Sequence, residues 1–61
     1  MYQKFKNLLD ARGVTSYKVA KDLGFNPTLF SDWKSGKSSP KADKLKKIAD
    51  YFGVTIEYFL E

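Results

Sequence analysis

Apolar residues recur along this chain at intervals of three and four positions, and nowhere do they alternate strictly with polar residues. Intervals of that length place apolar side chains on one face of an α-helix. Glycines and prolines divide the pattern into short pieces, because both residues interrupt helices. The pattern therefore predicts five helices, at approximately residues 2–12, 16–23, 27–34, 41–52 and 56–60.

Several of these predicted helices carry start and stop signals. Asn26 followed by Pro27 combines a side-chain cap with proline at the first helical position, which is typical of a helix start. Thr15 offers a side-chain cap to the second helix, and Thr55 offers one to the fifth. Glycines follow the first, second and fourth helices, where a left-handed residue commonly ends a helix: Gly13, Gly24 and Gly53.

The predicted helices fit together as an all-α, compact five-helix bundle that forms a single domain over residues 1–61. Turns of a few residues between the helices leave no room for a sheet, and two residues, Ser39 and Lys41, remain candidates to cap the fourth helix. Each helix has an apolar stripe that we expect to be buried. The stripes are Tyr2, Phe5, Leu8 and Leu9; Val19, Ala20 and Leu23; Leu29, Phe30 and Trp33; Ala42, Leu45, Ile48, Ala49 and Phe52; and Ile56, Phe59 and Leu60.

Composition excludes most kinds of catalytic site. The 61 residues include no cysteine and no histidine, so thiolate chemistry, sulfur-ligated zinc and the commonest general base are absent. We therefore expect no enzyme activity, no cofactor, no metal and no small-molecule substrate. No apolar run approaches the roughly 20 residues of a membrane span, and the N-terminus lacks a secretory apolar segment. These features predict a cytoplasmic protein with no membrane partner.

The net charge of +4 is unevenly distributed along the chain. Residues 34–47 contain six lysines and one aspartate, a net +5, whereas residues 48–61 contain three acids and no base, a net −3. A localised basic segment is typical of proteins that bind polyanions. In an isolated run, lysines that only solvate a helix are the more common case, so charge alone does not decide between the two interpretations.

The segment 14–40 has the layout of two short helices joined by a tight turn at residues 23–26. Ala20 is small enough to let the two helices cross closely, and Gly24 tolerates the positive φ of a sharp turn. Over residues 3–60 the chain resembles the Cro/repressor-type helix-turn-helix domain, also called lambda-repressor-like or xenobiotic-response-element type. The matching positions are Thr15, Val19, Ala20, Leu23, Gly24, Trp33, Gly36, Lys37, Pro40, Leu45, Ile48, Ala49, Phe52, Gly53, Val54, Thr55, Phe59 and Leu60.

This resemblance implies a domain of a transcriptional regulator that binds double-stranded DNA with its third helix in the major groove. It implies a repressor of phage or mobile-element origin, and a homodimer on a near-palindromic operator with half-sites about one helical turn apart. The sequence leaves open whether the chain is the DNA-binding part of a longer regulator or a complete small Cro-like protein.

A helical wheel predicts which residues of the third helix face DNA. With Leu29, Phe30 and Trp33 inward, the opposite face holds small or polar side chains that a major groove admits. By their position in the family, the residues that read bases are Pro27, Thr28, Ser31 and Asp32. Thr28 and Ser31 offer hydroxyl groups, and the carboxylate of Asp32 can accept a hydrogen bond from a cytosine amino group.

Phosphate contacts are expected on both sides of this face. The start of the second helix, at Ser16 and Tyr17, presents free amides and the positive end of the helix dipole. The complete predicted DNA-binding set is Ser16, Tyr17, Asn26, Pro27, Thr28, Ser31, Asp32, Lys34, Ser35, Lys37, Ser38 and Lys41. Asn26 is also expected to act as the helix cap. For Lys44, Lys46 and Lys47, contact with DNA stays open.

An alternative function is a protein-interaction module, such as an antitoxin-like or anti-regulator bundle. Its surface would be the acidic, aromatic C-terminus with Tyr51, Tyr58, Phe59 and Leu60. The third helix distinguishes the two functions, because a protein-binding helix exposes large apolar side chains there, and Thr28, Ser31 and Ser35 are small and polar.

Overall fold

The structure, a computed structural model, describes all 61 residues and contains five helices and no strand. They are α1 (Tyr2–Arg12), α2 (Ser16–Leu23), α3 (Thr28–Ser35), α4 (Ala42–Phe52) and α5 (Ile56–Leu60). The predicted all-α fold class is confirmed. None of the helices is long and apolar enough to cross a membrane.

The helix starts show which caps the backbone uses. The side-chain oxygen of Asn26 accepts a hydrogen bond from the amide of Thr28 at 2.9 Å, as a capping side chain does. Helix α3 begins at Thr28, one residue later than predicted. α4 begins after Lys41, whose carbonyl accepts from the amide of Leu45 at 2.8 Å; Ser39 is not the cap.

Of the two threonines predicted to cap a helix with their hydroxyl groups, only Thr15 does so. Thr15 accepts a hydrogen bond from the amide of Lys18 at 3.2 Å, which confirms its capping role. Thr55 precedes α5, but its side chain accepts no bond from that helix, so the prediction of a side-chain cap there is wrong. The amide of Tyr58 bonds instead to the backbone carbonyl of Thr55 at 3.1 Å, which leaves the hydroxyl without a donor.

The turn between α2 and α3 depends on a left-handed residue. Gly24 has φ of +74°, a conformation that side-chain-bearing residues rarely adopt. Its amide and that of Phe25 return to carbonyls of the last turn of α2, the latter reaching Ala20 at 2.8 Å. This closes the end of α2 and directs the chain into α3.

Aromatic rings from α1, α3, α4 and α5 form the centre of the core. Phe5 is fully buried and lies parallel to Phe30, with ring centroids 4.7 Å apart. Trp33 is 4% exposed and packs against Phe5 at 5.1 Å, as its helical spacing predicts. The other members of the core cluster are Leu9, Val19, Ala20, Leu45, Ile48, Ala49, Phe52 and Phe59.

Two members of the predicted stripes lie outside this core. Leu60 is 66% exposed, because Phe59 takes the inward position at the end of the five-residue helix α5. Ala42 is exposed at the first position of α4, and the buried stripe of that helix begins at Leu45. The other stripe residues outside the buried set are half-buried and pack at the edge of the core: Tyr2, Leu8, Leu23, Leu29 and Ile56.

Two polar contacts between distant segments tie the helices together. The guanidinium of Arg12, at the end of α1, donates to the carbonyl of Phe52 at 2.6 Å and so satisfies the end of α4. The hydroxyl of Tyr51 on α4 donates to the carboxylate of Asp22 on α2, also at 2.6 Å. Lys18 adds an ion pair to the same carboxylate at 3.2 Å.

The contact between Tyr51 and Asp22 predicts a stability that changes with pH at both ends of the range. The hydrogen bond from Tyr51, and after it the contact with Lys18, lowers the pKa of Asp22. The Asp22 carboxylate therefore stabilises the fold above its unfolded-state pKa, and this stabilisation is lost as pH falls below about 4. The same bond raises the pKa of Tyr51, so the stabilisation by the Tyr51 hydroxyl is lost as pH rises above about 10.

We expect Tyr51→Phe to flatten both limbs of the pH profile, measured as the free energy of unfolding by urea titration across the pH range. Tyr58→Phe is the matched control, because the Tyr58 hydroxyl makes no hydrogen bond and its ring contact with Lys4 survives the change. A Tyr51→Phe profile that superposes on that of Tyr58→Phe would show that the bond does not form in solution.

Candidate nucleic-acid interface

The two faces of α3 differ sharply in size and polarity. Phe30 and Trp33 point into the core, whereas Thr28, Ser31 and Ser35 are exposed. The helical wheel is thus correct about which side of α3 meets solvent. The outer side of α3 carries no aromatic and no large aliphatic side chain. A groove wide enough for a helix therefore meets no rigid, bulky side chain there.

At the start of α3, one predicted contact residue is already engaged. Asn26 and Pro27 are both exposed, but the Asn26 side-chain oxygen holds the Thr28 amide. The amino group of the Asn26 side chain and the second lone pair of its oxygen remain free to meet a ligand. This cap also fixes where the first turn of α3 begins, and hence where Thr28 stands.

At the end of α3, hydrogen bonds converge on one carbonyl. The main-chain oxygen of Asp32 accepts from the amides of Lys37 at 2.9 Å and Ser38 at 3.3 Å. The hydroxyl of Ser35 donates to the same oxygen at 3.1 Å, so this predicted contact residue has part of its capacity used inside the chain. Sequence reasoning missed that bond, although a serine three residues after a helix carbonyl is a known local donor.

The lysines divide into paired and unpaired groups. Lys6, Lys18 and Lys46 form ion pairs with the aspartate four residues further on. Lys4 and Lys44 lie over the rings of Tyr58 and Phe25, at 5.0 Å and 5.7 Å from the centroids. The lysines with neither an acidic nor an aromatic partner are Lys21, Lys34, Lys37, Lys41 and Lys47.

Three of these five unpaired lysines, Lys34, Lys37 and Lys41, are the predicted phosphate contacts. They lie in and just after α3, in the same part of the chain as the exposed Ser38. Of the three lysines whose role stayed open, Lys46 is paired with Asp50 and Lys44 lies over Phe25, so only Lys47 is unpaired. The four-residue spacing of Lys46 and Asp50 signals that pairing in the sequence itself.

The start of α2 presents the second group of predicted contacts. Tyr17 is 66% exposed, one of the few large apolar side chains in solvent, while Ser16 is half-buried. Thr15 covers one of the first amides of α2 through the Lys18 bond, and the others remain available at the positive end of the helix dipole.

An open groove of about 460 Å³ runs between α3 and the start of α4. Most of the residues that line it are polar, Leu29 and Pro40 being the exceptions, and they include the predicted contacts Ser38 and Lys41. No group of three or more potential metal-binding side chains comes together anywhere in the chain.

Comparison with known proteins agrees with this geometry. A family model described as "Helix-turn-helix domain" matches residues 2–61. The HTH-type transcriptional activator BcrR of Enterococcus faecalis is 34% identical over 58 residues, a match that covers 95% of this chain and 28% of BcrR. The chain therefore spans less than a third of that relative's length, and no solved structure matches it significantly. The sequence, the paired α2 and α3 helices and the family match together show that this chain belongs to the helix-turn-helix domain family.

Proposed function

We propose that this chain binds double-stranded DNA in a sequence-specific manner, as the DNA-binding domain of a transcriptional regulator. The observation that carries the proposal is the outer face of α3, where exposed hydroxyl-bearing residues stand beside unpaired lysines. Helix-turn-helix domains that bind DNA place the second helix of the motif in the major groove. In this chain that helix is α3.

The dimensions of the outer face suit the major groove. The groove is about 12 Å wide and admits a helix of ordinary diameter. Small side chains at Thr28 and Ser31 let the backbone of α3 approach the base edges closely. Their hydroxyls donate or accept hydrogen bonds there, and the methyl group of Thr28 can touch a thymine methyl.

Phosphate contacts on both sides would hold α3 in register. Lys34, Lys37 and Lys41 supply charge without first having to leave an acidic partner. The start of α2, with Ser16 and Tyr17, offers backbone amides and a hydroxyl to the opposite strand. Contacts of this kind position the domain but carry no sequence information.

We further propose that two copies bind a near-palindromic operator as a homodimer. The Cα atoms of one copy span 23 × 22 × 19 Å. Half-sites one helical turn apart are separated by about 34 Å along the duplex, so two copies fit side by side on one face of the DNA without overlap. Duplex DNA as the partner also agrees with the predicted cytoplasmic location.

The direction of regulation is a separate proposal. The resemblance predicts a repressor of phage or mobile-element origin, whereas the relative BcrR is named an activator. Both outcomes use the same DNA-binding chemistry and differ in where the operator lies relative to the promoter. A reporter gene behind the operator tests the repressor prediction, because expression of this chain should then lower the signal; a raised signal would identify an activator.

Replacing a hydroxyl on the outer face of α3 by a carboxylate tests the proposed interface. We expect Ser31→Asp to weaken binding to the operator about 100-fold, because the charge is repelled by phosphates and by acceptors on the base edges. Thr55→Asp is the matched control, since it makes the same change in net charge at an exposed position before α5. Fluorescence anisotropy with a labelled duplex measures both.

The outcome also separates the proposal from the protein-interaction alternative. Protein binding through α3 would require large apolar side chains on its outer face, and the exposed ones lie elsewhere, at Met1, Tyr17 and Leu60. Equal losses in Ser31→Asp and Thr55→Asp would place the contact surface away from α3. No association of the unaltered chain with any duplex at low ionic strength would refute DNA binding altogether.

A further inference from the structure

We propose that Asp32 makes this chain select a C·G base pair in each half-site, by accepting a hydrogen bond from the cytosine amino group. The inference rests on the proposed function, and it adds the identity of one base and the residue that reads it. Three features of the structure carry it, namely the lack of a partner for the carboxylate, its place in the helix and the rigidity of its backbone, together with the donor pattern of the DNA major groove.

Asp32 is an acid without a partner inside the chain. Asp10, Asp22 and Asp50 each pair with the lysine four residues earlier, at 3.0, 3.2 and 3.5 Å. The corresponding position for Asp32 is Thr28, so no such ion pair can form. The carboxylate also accepts no hydrogen bond from any other side chain or amide. Its acceptor capacity is fully available to a ligand.

The stability of α3 does not account for a negative charge at this position. Asp32 lies in the C-terminal half of α3, where the free carbonyls form the negative end of the helix dipole. Of the other three unpaired acids, Asp43 and Glu57 lie in the first turns of α4 and α5, where a negative charge is favourable, and Glu61 follows the last residue of α5. Asp32 is thus placed against the local field, which is expected of a residue retained for binding.

The backbone at Asp32 is held in place. Its carbonyl accepts the hydrogen bonds from Ser35, Lys37 and Ser38, and the next residue, Trp33, is buried in the core. The side chain is half-buried, so it has less conformational freedom to lose on binding than a fully exposed one. Because residues four apart share a helix face, the carboxylate stands on the same side of α3 as the exposed Thr28.

The donor pattern of the major groove selects cytosine for such a group. A carboxylate only accepts hydrogen bonds. Cytosine presents an amino donor with no acceptor beside it, whereas adenine presents a donor next to the N7 acceptor. Guanine and thymine present acceptors at the corresponding edge, which repel the charge. Phosphates repel it as well, so Asp32 also weakens binding to non-specific DNA.

Selection from a library of duplexes with a randomised centre tests the inference. The unaltered chain, Asp32→Asn and Asp32→Ser are each used to enrich binding sequences, and dissociation constants are then measured for duplexes that differ at a single pair. Asp43→Asn is the matched control, because it removes an unpaired acid that lies on α4 and not on α3. Asp43 lines the groove of the protein between α3 and the start of α4. Circular dichroism confirms that each variant is folded.

We expect the unaltered chain to prefer cytosine about tenfold at one position of each half-site. Asp32→Asn should move that preference to adenine, because an amide both donates and accepts, and Asp32→Ser should lose it. Asp43→Asn should keep the original motif. Selection of the same motif by the unaltered chain and Asp32→Asn would overturn the inference while leaving DNA binding intact. Enrichment of no motif by the unaltered chain would overturn the proposed function and this inference together.

Discussion

Trp33→Ala is expected to abolish the cooperative unfolding transition of this chain. Trp33 is 4% exposed, and its ring lies 5.1 Å from Phe5 and 5.6 Å from Tyr2 between centroids, so the change removes contacts between α1 and α3. Truncating a buried tryptophan to alanine costs about 3–5 kcal/mol. A chain of 61 residues has a total stability of roughly 3–9 kcal/mol. The expected loss is therefore comparable with the total free energy of unfolding of the chain.

Thermal unfolding followed by far-ultraviolet circular dichroism measures this effect. Leu60→Ala is the matched control, because it also truncates a large apolar side chain, but one that is 66% exposed. Its transition should stay close to that of the unaltered chain, since surface truncations usually change stability by at most about 0.5 kcal/mol. A sharp transition at an unchanged midpoint in Trp33→Ala would mean that the ring does not occupy the core.

The second large effect is on DNA affinity, which is expected to fall steeply with salt. Each phosphate neutralised on duplex DNA contributes about −0.9 to the slope of log affinity against log salt, so about five contacts per chain give a loss of about 500-fold between 50 and 200 mM. We expect the unpaired Lys34, Lys37 and Lys41 to supply three of those contacts. The remainder are expected at the start of α2, where the positive end of the helix dipole attracts a phosphate.

Two lysine variants separate phosphate contacts from a general effect of net charge. Lys37→Gln should reduce the magnitude of the salt slope by about 0.9, because it removes one phosphate contact. Lys46→Gln removes the same charge from a lysine already paired with Asp50 at 3.5 Å and should leave the slope unchanged. Anisotropy titrations at several salt concentrations give the slopes. A flat dependence for the unaltered chain would contradict phosphate contact altogether.

The helices and much of the core were predictable from the sequence because their causes are local. Asn26 and Pro27 start α3 within one residue of the prediction, since a cap and a fixed φ act on the neighbouring backbone. The three- and four-residue spacing identifies Phe30 and Trp33 as buried. The same spacing wrongly predicts that Ala42 and Leu60 are buried. Both lie at a helix end, where the apolar spacing extends beyond the part of the helix that packs against its neighbours.

The outer face of α3 was predictable for the same reason, whereas the availability of its groups was not. Thr28 and Ser31 are exposed as the wheel requires. The use of the Lys37 and Ser38 amides by the Asp32 carbonyl depends on how the chain turns at Gly36, which brings both donors to one oxygen. The position of Lys44 over Phe25 likewise depends on the packing of α4 beside the turn after α2.

By itself the sequence determined the number and type of helices, the membership of most of the core and the family of the chain. These properties depend on neighbours within one or two helical turns, which the order of residues specifies directly. Only the tertiary structure decided which polar groups are satisfied by residues far away in the chain: Arg12 reaches the carbonyl of Phe52 forty residues away, and Tyr51 reaches Asp22 across 29 residues. Such contacts depend on the angles at which whole helices pack, and those angles also leave the carboxylate of Asp32 and the ammonium groups of Lys34, Lys37 and Lys41 without partners.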